Sequence, residues 1–349
     1  MEQARGNEED NYRFLSTYLH FLKSTNPGTL TAMHNMVDKK GNALFKYLFF
    51  AFGTCISGYQ YLRKVIVIDG TSIKGKYKGC LVAASGQDGN MQIFPLAFGV
   101  VDGENEGGWV WFFENLKKFV PDEEGNRTTT LALSHFPGDR YNIMSGNISE
   151  SLNAAMQTAV DYPIVSMVEF LRAMLIRWFY CRRKVANKAK TRCTPEIEEI
   201  LIDHLQHAVD YRVLSTSEWI YQVNDGRGIV FTVDLQNKTC TCRVFDVLKV
   251  PCCHALAARG VLQIDIYTLI GEFYFVEPWR KKYSQIIMSV PKERDNDIPE
   301  AVTVEAVNPP RTKRGGGRPK KKRIPSQREQ HIVRFPWVIT LVLLTFEVY

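Results

Sequence analysis

Four soft or borderline metal ligands stand within fifteen residues of this chain: Cys240-Thr241-Cys242, nine intervening residues, then Cys252-Cys253-His254. Thiolates and an imidazole are the donors Zn²⁺ prefers, and four of them can close a tetrahedron around one ion. Each pair is separated by one residue, so in an extended segment both side chains of a pair point to one side. Cys240, Cys242, Cys252 and His254 are therefore the candidate ligands, and Cys253, between two of them, is expected to point away. A site closed by four protein ligands leaves no position for water, which makes its role structural and not hydrolytic. By analogy with zinc-finger peptides, the ion would contribute on the order of 10 kcal/mol to folding so short a module. The alternative is a chance cluster of buried free cysteines, which often serve as small core residues.

Two elements must bring the ligand pairs together. Residues 219–235 (WIYQVNDGRGIVFTVDL) read as a hairpin turning at Asn224-Asp225-Gly226, directly before the first pair. Pro251 followed by HALAARGVL marks a helix starting near the second pair. Upstream, VIVID (65–69), GCLVAASGQD (79–88) and QIFPLAFGVVDG (92–103) read as three strands, the last two joined through Asp88-Gly89-Asn90, with a helix at 108–119. Amphipathic helices are expected at 8–24, before the Asn26-Pro27-Gly28 break, and at 147–160, 163–185 and 197–209. The stretch 122–146 has no sustained period and reads as loop. The division expected is an N-terminal helical region (8–60), a strand-rich unit (61–121), the 122–146 loop, a helical region (147–210), the metal module (219–260), a linker and basic tail (291–330), and an apolar end (331–349).

Composition sets the outer bounds. With 349 residues, 45% hydrophobic and 23% charged, the chain is neither wholly disordered, collagen-like nor a polytopic membrane protein. No cleavable signal peptide precedes the eight cysteines, which favours a reducing compartment and a metal over a disulfide framework. The formal charge is +7, but residues 311–323 (RTKRGGGRPKKKR) hold eight Lys or Arg and no acid, so the remaining residues carry a formal charge of −1. A near-neutral body with a concentrated cationic segment suits a polyanion such as DNA, or nuclear import. The basic end of the 163–185 helix (Arg177, Arg182, Arg183, Lys184, then Lys188, Lys190, Arg192) is read as a solvated face, with DNA contact the alternative. Residues 335–348 are strongly apolar but fall short of the ~20 needed to span a bilayer; a tail anchor, a strand and an out-of-frame or intron-derived end stay open, with membrane association the less favoured.

CTCRVFDVLKVPCCHALAA resembles a SWIM-type zinc finger, whose pattern is CxC, a spacer, then CxH, and all four ligand positions match. The stretch from VIVIDGT to WFFENL resembles the start of the catalytic domain of plant Mutator-like element (MULE) transposases, and FKYLFFAFGTCISGY, NISESLNAAM and the SWIM pattern follow the family order. The resemblance implies an α+β chain with a partial ribonuclease-H-like (α/β) domain, a helical segment, a small zinc-bound SWIM module and a disordered basic tail. It also implies an acidic site holding Mg²⁺ or Mn²⁺ for DNA strand cleavage and transfer, because paired metals clamp the attacking and leaving oxygens of a phosphodiester. Asp69 matches the first acid and Glu150 the third. Taken as residues alone, Asp69-Gly70 reads as a turn and Asn147 with Glu150 as a helix-capping pair. The family's second acid, on a fourth strand after FVPDEEG, has no counterpart. Asp122, Glu123, Glu124 and Asp139 lie nearby in loop, with no rigid strand aiming them at Asp69. The two matching acids are therefore expected to be vestigial.

RGGGRPKKKR resembles an AT-hook, an extended Arg-Pro segment that enters a narrow A·T minor groove. Its candidate contacts are Arg314, Arg318, Pro319, Lys320, Lys321, Lys322 and Arg323; nuclear import and plain solvation are the competing uses. The expectation is a zinc-binding, DNA-binding nuclear protein of transposon origin, catalytically impaired, with A·T-rich or transposon-end DNA and proteins recruited through the SWIM module as partners and no small-molecule substrate. An active transposase and a decayed fragment are the alternatives.

Overall fold

The computed structural model describes residues 7–63, 66–120, 145–291 and 307–311. The chain is mixed α+β, with a five-stranded and a four-stranded antiparallel sheet among the described residues. Helix α1 (Glu8–Thr25) starts where the Asn7 side chain accepts the Glu9 N–H, and acids fill its first turn, as the helix dipole favours. It ends at Asn26, before Gly28 at φ +79°.

Within 8–60, the region expected to be helical, the chain instead forms a hairpin of β1 (Leu30–Val37) and β2 (Ala43–Ala51), then the short helix α2 (Gly53–Tyr59). The Asp38 carboxylate nucleates the hairpin turn by accepting the N–H groups of Lys40 and Asn42, and Gly41 takes φ +83°. The three expected strands follow as β3 (Val67–Ile73), β4 (Gly79–Gln87) and β5 (Ile93–Val101), then helix α3 (Glu106–Leu116), whose N-cap Asn105 accepts the Gly108 N–H. The sheet order is β1-β2-β5-β4-β3, so the N-terminal hairpin extends the meander beyond β5 and β3 lies at the edge. Pro95, unusual in a central strand, is tolerated because the ladder to β4 shifts register at Ala84/Ser85 and β2 pairs with β5 only at 98–100.

Helix α4 (Ser145–Met156) and a 3-10 turn at Ala159–Asp161 precede the 25-residue α5 (Ile164–Lys188), then α6 (Pro195–Ala208). The second sheet orders β6 (Arg212–Ser215), β7 (Ile220–Asn224), β8 (Val230–Asp234) and β9 (Thr239–Cys240) consecutively. Helices α7 (Val244–Leu248), α8 (Cys253–Leu262) and α9 (Val276–Lys282) complete the elements. Beyond them, Val307-Asn308 returns to the first sheet: the Phe45 N–H donates to the Asn308 carbonyl (2.8 Å), and the Asn308 N–H to that of Ala43 (2.9 Å). The basic segment thus departs from the β1–β2 hairpin, where Arg311 pairs with Asp38 (3.5 Å).

The tip of the β4–β5 hairpin meets α9 and the start of α6. Asp88, 2% exposed, accepts the N–H groups of Asn90 (2.9 Å) and Gln92 (2.8 Å) on one carboxylate oxygen. On the other it accepts the Trp279 indole N–H (3.0 Å) and the Tyr283 hydroxyl (2.7 Å), which fixes α9. Gly89 donates nothing but space: a Cβ there would sit 2.4 Å from the Phe273 carbonyl oxygen, while its own carbonyl accepts the Thr194 hydroxyl (2.7 Å) at the start of α6. Replacing Asp88 by Ala orphans four donors, two of them buried side chains, and should destabilise the protein by about 3–5 kcal/mol. Urea denaturation checks this, and a loss under 1 kcal/mol would contradict the role given to this carboxylate.

Candidate metal centre

Cys240, Cys242, Cys252 and His254 converge as the spacing predicts. Their ligand atoms all lie within 4.8 Å of one another. The His254 Nδ1 is 3.8 Å from the Cys240 Sγ and 3.9 Å from the Cys252 Sγ. Bond lengths of ~2.3 Å to sulfur and ~2.05 Å to nitrogen put neighbouring ligands of a tetrahedral zinc about 3.6–3.8 Å apart, so the cluster has the size of a zinc site, with Nδ1 as the ligating nitrogen. Cys240, Cys252 and His254 are buried and Cys242 is half-buried.

Each ligand is placed by local structure. β9 holds Cys240 against β8, and the Cys240 N–H donates to the Asp246 carboxylate (3.1 Å) in α7. Arg243 (φ +66°) and Lys249 (φ +55°) bracket α7 in the left-handed region, which folds the nine-residue spacer back on itself so that the second pair meets the first. Cys252 is the N-cap of α8 and His254 lies in its first turn. The imidazole stacks on Phe231 (centroids 3.9 Å apart, 25° between planes) and on Tyr211 (5.3 Å, 20°), which sets the direction of Nδ1. Cys253 takes no part: its Sγ accepts the Tyr211 hydroxyl (3.6 Å). The imidazole of His204, in α6, donates from Nδ1 to the Pro251 carbonyl (2.9 Å) just before the second pair.

Thiols packed this closely lose their ordinary acidity. Hydrogen bonds from Cys240 and Cys252 hold the Cys242 thiolate far below the usual thiol range. The same sharing with Cys242 pushes Cys240 up to about 12, and hydrogen bonds to Cys240 and Cys242 together with burial push Cys252 up. One proton-poor sulfur amid protonated ones is the arrangement a divalent ion relieves by displacing protons.

The other candidates have different fates. Asp69 is not in a turn, because β3 runs on through Gly70 to Ile73 with Asp69 opposite Ala83. One of its carboxylate oxygens accepts the Gly70 N–H (2.8 Å) and the other accepts the Asn153 side-chain amide of α4 (2.8 Å). The Asn153 carbonyl oxygen in turn accepts the Thr71 hydroxyl (2.8 Å), so Asn153 clasps β3 to α4. Glu150 stands one turn earlier on α4 and is exposed. Asn147 lies inside α4, which begins at Ser145, and so not at its N-cap. Among the described residues the Cys/His cluster is the only gathering of three or more His, Cys, Asp or Glu ligand atoms, and Asp69 and Glu150 belong to none. Asp122, Glu123, Glu124 and Asp139 lie outside the described residues, as do Arg314, Arg318, Pro319, Lys320, Lys321, Lys322 and Arg323 and the disorder expected of their tail.

Sequence reasoning passed over Asn153, although it sits three residues after Glu150 and so on the same helical face. It also passed over the Phe231 and Tyr211 rings and Asp246, whose roles depend on tertiary placement.

Comparison with known families agrees with this geometry. Residues 65–138 match the MULE transposase domain, and residues 231–258 match the SWIM zinc finger. No curated protein and no solved structure matches the chain. The two matches together are those of a MULE-type transposase carrying a SWIM finger, and with the Cys₃His cluster they support a zinc-binding, transposase-related protein. Of the first match, 66–120 is described and consists of β3, β4, β5 and α3. Elemental analysis of the purified protein should return about one zinc per chain. Cys240→Ser and His254→Asn should each abolish retention while Cys253→Ser keeps it; zinc retained in the first two variants would remove the site.

Proposed function

We propose that this chain is a transposon-derived nuclear protein that binds DNA, is held in shape by a structural zinc, and is impaired as a strand-transfer enzyme. The observation that carries the reading is the co-occurrence, in one chain and in this order, of a segment matching a MULE transposase domain and a SWIM segment whose four ligands converge. Transposase-like domains point to DNA as the partner, and the SWIM module adds a surface for protein partners. The basic segment following Arg311 supplies cations for phosphates and a signal for nuclear import. The antiparallel β3-β4-β5 meander followed by α3 is the part of a ribonuclease-H-like fold that this reading requires.

Impairment rests on the acid set: the family's second acid has no counterpart in the sequence, and among the described residues Asp69 and Glu150 join no cluster of three ligating groups. A carboxylate that holds Mg²⁺ or Mn²⁺ needs free oxygen lone pairs facing the ion. Each Asp69 oxygen accepts one hydrogen bond, one of them from an asparagine that also anchors a helix, and each keeps a second lone pair. Glu150, one turn before Asn153 on α4, is exposed. With Asp69 and Glu150 alone, two divalent ions would be held poorly.

Two measurements separate this reading from an active transposase. Incubated with terminal-inverted-repeat DNA and Mg²⁺ or Mn²⁺, the protein should give no cleavage above that of Asp69→Asn; metal-dependent cleavage abolished by Asp69→Asn would establish the enzyme instead. DNA binding should weaken steeply with salt, with log K falling in proportion to the number of phosphates neutralised. The absence of any salt-dependent DNA binding would refute the DNA-binding reading.

A further inference from the structure

The exposed side of α5 has a composition that neither the zinc site nor the basic tail uses. Along this helix Arg177, Cys181, Lys184 and Lys188 follow at spacings of four, three and four, so they form one row about 16 Å long. Arg177, Lys184 and Lys188 are exposed. The neighbouring basic residues are committed elsewhere: Arg183 donates to the carbonyls of Tyr283 (2.6 Å) and Gln285 (2.7 Å), and Arg172 pairs with Glu169. Glu169 is the one acid of α5 and also accepts the Tyr18 hydroxyl (2.7 Å), so no carboxylate of α5 offsets the row. Across from it, the acid of α9, Glu277, lies 3.8 Å from Arg280.

Beside this row runs a groove of about 360 Å³, walled by α5, by Gln92 from the β4–β5 hairpin and by Trp279 from α9. That volume falls in the ~300–1,000 Å³ range of small-ligand sites. Its wall is built around Arg182 and Trp178. The Arg182 guanidinium is tied to the Ile93 carbonyl (2.5 Å) and the Tyr283 hydroxyl (3.1 Å), and it lies 4.8 Å from the centre of the half-buried Trp178 ring. A guanidinium locked against an indole is a flat, cationic, π-faced surface whose ordering cost is met by the fold itself. Arg177 and Cys181 belong both to the groove and to the row, so the flat surface opens directly onto the line of cations.

We propose that this groove and row bind single-stranded DNA, with one unpaired base in the groove against Trp178 and Arg182 and the flanking phosphates on Arg177, Lys184 and Lys188. A flat π-system next to regularly placed anionic groups is what an unpaired nucleotide within a strand presents, and stacking with cation contact is how single strands are held without sequence readout. A free mononucleotide would use the groove and leave Lys184 and Lys188 idle, and a paired duplex has no base to place there. The inference rests on the reading of the chain as a DNA-binding protein and names the surface that does it.

The test uses the full-length, zinc-loaded chain and a fluorescein-labelled oligo(dT) of ~12 nucleotides, within the ~4–16 that such sites cover, titrated between about 50 and 200 mM salt. A second full-length background has Arg314, Arg318, Lys320, Lys321, Lys322 and Arg323 replaced by Gln, so that the tail and α5 are read separately. In both, Arg177→Gln with Lys184→Gln and Lys188→Gln should weaken oligo(dT) binding at least about tenfold and lower the salt slope by about 2, at ~0.7 per lost phosphate contact. These side chains are exposed, so circular dichroism and zinc content should not change. Trp178→Leu should weaken oligo(dT) at least about fivefold and blunt duplex much less. Oligo(dT) binding by the triple variant equal to that of its parent in the tail-substituted background would overturn the proposal while leaving DNA binding intact. In the tail-substituted background, preference for dTMP over the strand, or for duplex over oligo(dT), would also overturn it. Failure of the parent protein to bind any DNA would sink this proposal and the functional reading together.

Discussion

The carboxylate of Asp88 is the contact on which the arrangement of the molecule turns. It closes the β4–β5 hairpin through two backbone N–H groups and seizes α9 through an indole and a phenol, all four donors neutral. Taking a carboxylate out of water costs several kcal/mol. Hydrogen bonds to a charged acceptor are worth about 1.5–3 kcal/mol each, so the four together offset that cost. This one carboxylate therefore couples the hairpin tip to α9, with the rings of Phe94, Phe179 and Tyr283 packed beneath them. Burial and the neighbouring Asp88 push the Tyr283 phenol well above its ordinary range, which keeps it protonated as a donor.

From the same tip the order passes to the zinc module. Gly89 and Asn90 receive the start of α6, whose His204 holds the backbone before Cys252. The carbonyls of the ligand spacer are likewise answered from outside it. Arg63 donates to Val247, the Tyr274 hydroxyl to Leu248 (2.8 Å) and the Gly271 N–H to Lys249 (2.8 Å). Buried carbonyls left without donors would each cost about 1–3 kcal/mol. The metal site is thus one end of a network reaching to the first sheet, unlike an isolated finger that folds around its ion alone.

What could be read from the sequence was what local chemistry dictates. The CxC and CxH pairs were legible because metal ligation constrains residue type and spacing directly, and β3, β4 and β5 because apolar runs were punctuated by turn residues. The β1–β2 hairpin was not: ALFKYLFFA is apolar nearly throughout and carries no period to separate strand from helix, although Asp38 to Asn42 held the turn chemistry. Asp69-Gly70 misled in the opposite sense, since an Asp-Gly pair that would start a turn in isolation is carried along by seven consecutive pairings with β4. The second role of Asp88 left no local trace at all, because Trp279 and Tyr283 lie about 190 residues away.

The strand β3, at the sheet's edge among the described residues, shows how a carboxylate can serve as scaffold. An edge strand exposes unpaired backbone groups and needs cover. Here α4 lies against it, held by Asn153, which donates to Asp69 and accepts from Thr71, and the 3-10 turn adds a hydrogen bond from the Lys74 N–H to the Val160 carbonyl (2.9 Å). As an anchor, Asp69 keeps one hydrogen bond on each oxygen, one to its own strand and one to α4. Freeing it would loosen α4 and uncover the strand. The Asp69–Asn153 hydrogen bond is therefore part of what keeps α4 against the sheet edge.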